Sequence, residues 1–193
     1  MITPGSDEIV KLAEKYTTIP VCREIYADMI TPIALLRRLQ TRSDRFFLLE
    51  SVEGGEKWAR YSFLGYDPIL RATCKNGRVT LEGAENRTVE TDKPLSVLRE
   101  VLSRYRAPHI EGLPPFTGGF VGYFAYAMLG YAEPTLRIKR GAWDDFDLML
   151  FDKVIAYDHL KQKIVLIVKA EHSCRKADDL RRLIVDLTKI FGL

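Results

Sequence analysis

Two short clusters in this 193-residue chain bring together side chains able to hold a small polar ligand. In Leu48-Leu49-Glu50-Ser51, an apolar run ends in a carboxylate and a hydroxyl. Glu50 can accept from an ammonium or another N–H group, and Ser51 can both donate and accept, a combination that suits an amino-acid ligand. A strand leaving the core, with Glu50 simply solvated, accounts for the same residues. In Arg60-Tyr61-Ser62-Phe63-Leu64-Gly65, a guanidinium and an aromatic ring sit beside a hydroxyl, able to meet a carboxylate and a flat ring. An ordinary cross-strand pair is the plainer account. Asp158-His159 reads either as an acid–base dyad or as the start of a polar turn through Gln162.

Other chemistries find no footing. His109, His159 and His172 lie far apart, none with a second ligand at metal spacing, so no metal site is expected within the chain. There is no Gly-x-Ser-x-Gly elbow, no Cys-x-x-Cys pair and no phosphate loop ending Gly-Lys-Ser/Thr. The segment Pro115-Phe116-Thr117-Gly118-Gly119-Phe120-Val121-Gly122-Tyr123 is glycine-rich, but its spacing fails the dinucleotide pattern and no apolar strand precedes it. Its glycines read as a crossing where two backbones approach closely.

Composition narrows the class. With 47% hydrophobic and 28% charged residues the chain should fold, and a formal charge of +3 spread along its length argues against nucleic acid as a partner. No apolar run nears the roughly 20 residues needed to cross a bilayer. The start, Met1 to Glu8, carries acids where a secretory signal carries bases, so a cytoplasmic protein is expected. Cys22, Cys74 and Cys174 are unpatterned and read as reduced, buried thiols.

Elements must position these residues. Ser6 can cap a helix carrying Ile9, Leu12, Ala13 and Tyr16 on one face. Ile19 to Tyr26, with Pro20, reads as an extended edge segment, and Thr31-Pro32 supplies the cap and first position of a helix through Leu39. Arg45 to Ser51, Arg60 to Tyr66 and Ile69 to Cys74 read as strands. Asn76-Gly77 should close a type I′ hairpin pairing Ile69–Lys75 with Arg78–Glu82. Pro94 opens a helix with Leu95, Leu98, Val101, Leu102 and Tyr105 on one face. Asp147 to Tyr157 and Lys163 to Lys169 should form a second hairpin, and Cys174 to Phe191 an amphipathic helix. The mixture predicts an α+β fold, antiparallel sheets built from hairpins with flanking helices. One domain over 1–193 is expected, with a possible hinge near 106–119.

In order along the chain stand Thr31-Pro32; Leu48-Leu49-Glu50-Ser51; Arg60-Tyr61-Ser62-Phe63-Leu64-Gly65; Pro115-Phe116-Thr117-Gly118-Gly119 with Gly122-Tyr123; Glu133-Pro134; and Asp147-Leu148-Met149-Leu150-Phe151-Asp152-Lys153-Val154 followed by Tyr157-Asp158-His159. Together these motifs resemble the N-terminal domain of anthranilate synthase component I, over nearly the whole chain. The related large subunit of aminodeoxychorismate synthase shares the Leu-Leu-Glu/Asp-Ser and Gly-Gly-x-x-Gly-Tyr elements. The Arg60 to Gly65 and Asp147 to Val154 segments look more like the anthranilate enzyme. Two departures stand out: Tyr126-Ala127 where the family commonly has Tyr-Asp, and Trp143-Asp144-Asp145 ahead of the hairpin.

The resemblance implies an enzyme that converts chorismate and glutamine-derived ammonia to anthranilate and pyruvate, the first step of tryptophan biosynthesis. It implies a glutamine amidotransferase partner and Mg²⁺ in the full-length enzyme. The family's chorismate-binding domain carries the catalytic and metal-binding residues and is not in this sequence. These residues alone are therefore expected to hold no catalytic group, no cofactor and no synthase activity. By the same resemblance, Glu50 and Ser51 contact L-tryptophan as feedback inhibitor, Tyr61 and Ser62 form another side of that pocket, and Arg60 is a looser candidate for binding it. With the remaining wall in the other domain, much of the indole stays wet, and affinity should fall to the millimolar range, about −4 kcal/mol. Surfaces that normally meet that domain would face water, so self-association is also expected. The alternatives are a stand-alone tryptophan-binding module and the corresponding domain of aminodeoxychorismate synthase.

Overall fold

The computed structural model describes residues 2–27, 30–50, 60–133, 135–136, 138–139 and 141–171. Its elements begin with β1 (Ile2–Thr3), α1 (Ser6–Ala13), β2 (Thr18–Tyr26), α2 (Pro32–Gln40), β3 (Phe46–Leu49), β4 (Tyr61–Tyr66), β5 (Leu70–Lys75) and β6 (Arg78–Gly83). They continue with β7 (Arg87–Glu90), α3 (Pro94–Ser103), β8 (Gly119–Phe124), α4 (Leu129–Ala132), β9 (Phe146–Phe151), β10 (Lys153–Asp158) and β11 (Lys163–Glu171). Two antiparallel sheets with helices make this the α+β fold that the sequence predicts. Two compact units result. One takes described residues from 1–67, 105–118 and 152–193, and the other those from 68–104 and 119–151. Two of the four points where the chain changes unit, 104/105 and 118/119, bracket the Pro- and Gly-rich segment.

The first unit is built on a six-stranded sheet in the order β1-β2-β11-β10-β4-β3. Both faces of its centre are covered, which explains why Ile164 to Val168 is an unbroken apolar run rather than an alternating one. On one face Leu64, Tyr66, Ile155, Tyr157, Ile164 and Leu166 pack with Leu35 and Leu39 of α2 and with Ile9 and Leu12 of α1. On the other, Cys22, Val154, Ala156, Val165 and Ile167 pack with Phe63, Leu113 and Phe116. Each fully buried aliphatic side chain contributes roughly 1.5–3 kcal/mol, so these central strands outweigh any rim ion pair at about 0–1 kcal/mol. Burial, helped by the charge of Glu24, pushes the Cys22 thiol up to about 12, so it is inert.

Local chemistry explains the helix starts. The Thr31 hydroxyl accepts from the Ala34 N–H at 3.2 Å, and Pro32, lacking an N–H, takes the first helical position. In α1 the cap falls on Gly5 rather than on Ser6, one residue earlier than expected. Pro20 lies in β2, which is not the sheet's edge as the sequence suggests. It pairs with Lys169 on one side, while on the other β1 reaches only Cys22 and Arg23, so no strand asks Pro20 for an N–H there. The 105–118 segment is tied to this unit at both ends. Thr17 and Thr18 N–H donate to Arg106 O at 3.0 and 3.1 Å, and the Lys169 ammonium donates to Gly118 O at 2.9 Å.

The second unit is a five-stranded sheet, β7-β6-β5-β9-β8. Its buried residues alternate, Leu70, Ala72 and Cys74 on β5 with Phe146, Leu148 and Leu150 on β9. On the other side, Arg71 pairs with Asp147 through Nε–Oδ1 at 3.0 Å and Nη2–Oδ2 at 2.7 Å. The Asn76-Gly77 hairpin forms as the sequence predicts, with Lys75 opposite Arg78 and φ of 51° and 80° at the two turn residues. Asp145, buried under this turn, accepts from the Asn76 N–H at 2.8 Å and the Tyr131 hydroxyl at 2.7 Å.

Three expectations are corrected here. The buried stripe of α3 is Pro94, Val97, Leu98 and Val101, while Leu95 and Leu102 are 38% and 43% exposed. Both stripes have helical spacing, and which one turns inward is decided by the sheet it meets. The strand expected over Asp147 to Tyr157 is two, broken at Asp152, with β9 in one sheet and β10 in the other. A strand can bend from one sheet into the next without a turn residue, so no Gly or Pro marks the break. The glycine-rich crossing contains a strand, β8, paired along β9. Gly122 has φ +157°, and a Cβ there would strike Asp147 O and the Leu148 Cα, so the close backbone approach is real within a ladder. The helix expected from Cys174 to Phe191 lies outside the described residues.

Candidate functional site

Glu50 follows the last residue of β3 and is exposed. The β3–β4 ladder ends at Leu49 opposite Phe63, which leaves Glu50 at the level of Ser62. Ser51 lies outside the described residues. β4 runs between β3 and β10, where Ser62 stands opposite Tyr157 and Tyr61 opposite Asp158.

Successive strand residues face opposite sides, and Tyr61 and Ser62 obey this rule. Tyr61 stacks on Phe63, ring centroids 5.7 Å apart, on the face that holds Phe116. Ser62 is buried, and its Oγ lies 2.7 Å from His159 Nε2. His159 is exposed, with the Tyr157 ring 4.7 Å from its own, and its backbone N–H donates to Arg60 O at 2.8 Å. The structure therefore brings Ser62 together with His159 and Tyr157, and sets Tyr61 on the other wall of the sheet.

Arg60 is engaged within the chain. Its Nε lies 3.1 and 3.2 Å from the two Asp158 oxygens, and its Nη2 2.7 Å from Oδ2. The guanidinium carbon also sits 4.8 Å from the Tyr61 ring centroid. Asp158 accepts in addition from the Leu160 and Lys161 N–H groups at 3.1 and 3.0 Å, so it anchors the turn. Burial alone would raise the Asp158 carboxyl; the Arg60 fork and those two N–H groups outweigh it and hold the carboxyl below its usual range. The Asp158 hydrogen bond likewise raises the Arg60 guanidinium.

Pairing across four strands makes a lateral row, Tyr26–Lys163–Asp158–Tyr61. In it the Lys163 ammonium lies 2.7 Å from Glu24 Oε2 and 5.7 Å from the Tyr26 ring centroid. Neither this row nor the Ser62–His159 contact is legible in the sequence, because both join residues about a hundred positions apart. The Tyr157-Asp158-His159 motif beside a predicted hairpin was the available signal. Among the described residues, no group of three or more His, Cys, Asp or Glu side chains converges to hold a metal ion. No helix among them is long and apolar enough to cross a membrane.

Comparison with known proteins defines the class. No protein-family model matches the chain. Anthranilate synthase component 1 of Acetivibrio thermocellus is 40% identical over 174 residues, covering 87% of this chain and 34% of the relative. That of Aquifex aeolicus is 39% identical over 166 residues, covering 84% and 33%. The crystal structure of anthranilate synthase component I from Streptococcus pneumoniae superposes with a TM-score of 0.57 at 26% identity, over 88% of this chain and 36% of that one. Over that stretch the chain belongs to the anthranilate synthase component I family. It spans about a third of the length of the curated relatives it matches.

Proposed function

We propose that this chain is the regulatory and scaffold part of an anthranilate synthase component I and carries part of its L-tryptophan feedback site. The observation that supports this most directly is the Leu48-Leu49-Glu50-Ser51 element at the end of β3, with exposed Glu50 at the level of Ser62 on β4. A carboxylate followed by a hydroxyl suits the ammonium and polar atoms of an amino acid, and charge-assisted bonds to the ammonium are the strong ones. Tyr61 and the Asp158-bound Arg60 lie on the opposite face of the sheet from Ser62 and take no part in this reading.

In this reading the whole enzyme converts chorismate and ammonia from a glutamine amidotransferase subunit to anthranilate and pyruvate in tryptophan biosynthesis. Chorismate chemistry and Mg²⁺ belong to the chorismate-binding domain. The described residues of this chain offer no carboxylate cluster that would fit Mg²⁺, and no step is assigned to them. Self-association follows from the exposed apolar residues Phe124, Tyr126 and Leu129 beside β8, the outermost strand of its sheet.

Calorimetric titration of L-tryptophan into the chain, beside Ser51→Ala and Glu50→Gln, tests the reading. Saturable binding that weakens in both variants supports it. Absence of heat in the chain joined to the remaining two thirds of a component I relative overturns it.

A further inference from the structure

Ser62 is only 1% exposed, and its side-chain partner is the His159 imidazole, with Oγ to Nε2 at 2.7 Å. The contact can run either way with the imidazole tautomer; with Ser62 donating and Nε2 accepting, the buried hydroxyl proton has its acceptor, and this is the direction we take. A neutral imidazole that accepts at Nε2 carries its proton on Nδ1. His159 is exposed, while Tyr157, against which its ring leans, is buried. Its main chain is fixed by the N–H bond to Arg60 O. The ring is thus held by a hydroxyl beneath, a phenol at one side and the backbone of the neighbouring strand. What remains for a ligand is one N–H donor and one ring face.

From this the geometry points to His159 as a ligand-contacting residue of the amino-acid site, with Ser62 beneath it as the positioning residue; this rests on the tryptophan reading above. The α-carboxylate of the ligand accepts from His159 Nδ1–H, its ammonium meets the Glu50 carboxylate, and its ring lies over the open imidazole face. Glu50 and His159 flank Ser62 from opposite sides, one at the end of β3 and the other just past β10. Ser62 therefore acts through His159 rather than by touching the ligand. Its hydroxyl fixes which ring nitrogen carries the proton and so which one faces the carboxylate.

The test is ¹⁵N NMR of the histidine rings combined with L-tryptophan titration of the chain. In the free chain the neutral His159 ring should show the Nδ1–H tautomer. Tryptophan should move the His159 ring signals together with the Glu50 amide. His159→Ala should weaken binding about ten-fold, the size of one lost charge-assisted hydrogen bond. Ser62→Ala should weaken it by about three-fold, Ser62→Thr should restore it, and Ser62→Ala should add nothing in the His159→Ala background, since a merely structural role would persist there. His159 lies in an exposed turn, and unchanged amide dispersion of β10 and β11 verifies that the variant is folded. An Nε2–H tautomer overturns the proposal. So does tryptophan that moves Glu50 but leaves the His159 ring and His159→Ala affinity unchanged, a result under which the tryptophan reading stands. Tryptophan that moves no residue even when the chain is joined to the remaining two thirds of a component I relative overturns both.

Discussion

Arg60 and Asp158 close a fork across β4 and β10, with Nη2 2.7 Å from Oδ2 and the carboxylate only 4% exposed against 29% for the guanidinium. Asp158→Ala leaves Arg60 and two turn N–H groups without their acceptor. A loss of about 1–3 kcal/mol is expected, read as a lower urea midpoint. The acid dependence has a definite sign. Because the folded-state pKa of Asp158 is lowered, its contribution is fully present above the unfolded value and is lost as pH falls through the folded one. Wild type should therefore lose stability below about pH 4 more steeply than Asp158→Asn.

Gly122 has no room for a side chain against Asp147 O. Gly122→Ala must push β8 away from β9, and it sits at a φ that L-residues rarely adopt. A loss of more than about 1 kcal/mol is expected, seen as a lower melting temperature and faster amide exchange in Tyr123.

Asp145 holds the hairpin turn and Tyr131 together from a buried position. Asp145→Ala strands two donors, so about 1–3 kcal/mol should be lost. The Asn76 amide should then exchange at least ten-fold faster than in wild type, while Lys153 to Asp158, in the other unit, should be unaffected.

Light scattering over a wide concentration range should show the chain associating, and Phe124→Glu with Leu129→Glu should return it to a monomer. A clean monomer in wild type would remove self-association from the account.

Much of the fold was legible where local chemistry decides it. Thr31-Pro32 and Asn76-Gly77 demand a helix start and a tight turn whatever surrounds them, and the apolar run at Ile164 demands burial on both sides. Choices made by tertiary contact were not legible. Leu95 and Val97 have equal claims to the inward face of α3, and nothing in Phe151-Asp152-Lys153 announces a change of sheet. For the site, the motif names Glu50 and Ser51. The opposite-face placement of Tyr61 and Ser62 follows from strand period alone once β4 is accepted. His159 becomes a neighbour of Ser62 only because β10 lies beside β4, and that pairing spans most of the chain.

The division of the sheets along the chain has a consequence for synthesis. Every strand of the five-stranded sheet, β5 to β9, has been made by residue 151, whereas β2 and β4 wait for β10 and β11, residues 153–171, to arrive between them. The Glu24–Lys163 contact alone bridges 139 positions. Closing such long loops is slow, so the second unit should fold first on the ribosome while β2 and β4, each with only a short neighbour, β1 or β3, to pair with, wait to be joined. The N-terminal strands of this stretch are thus among the last to gain their full structure, and released chains truncated after residue 152 should protect the amides of β5 but not most of those of β2.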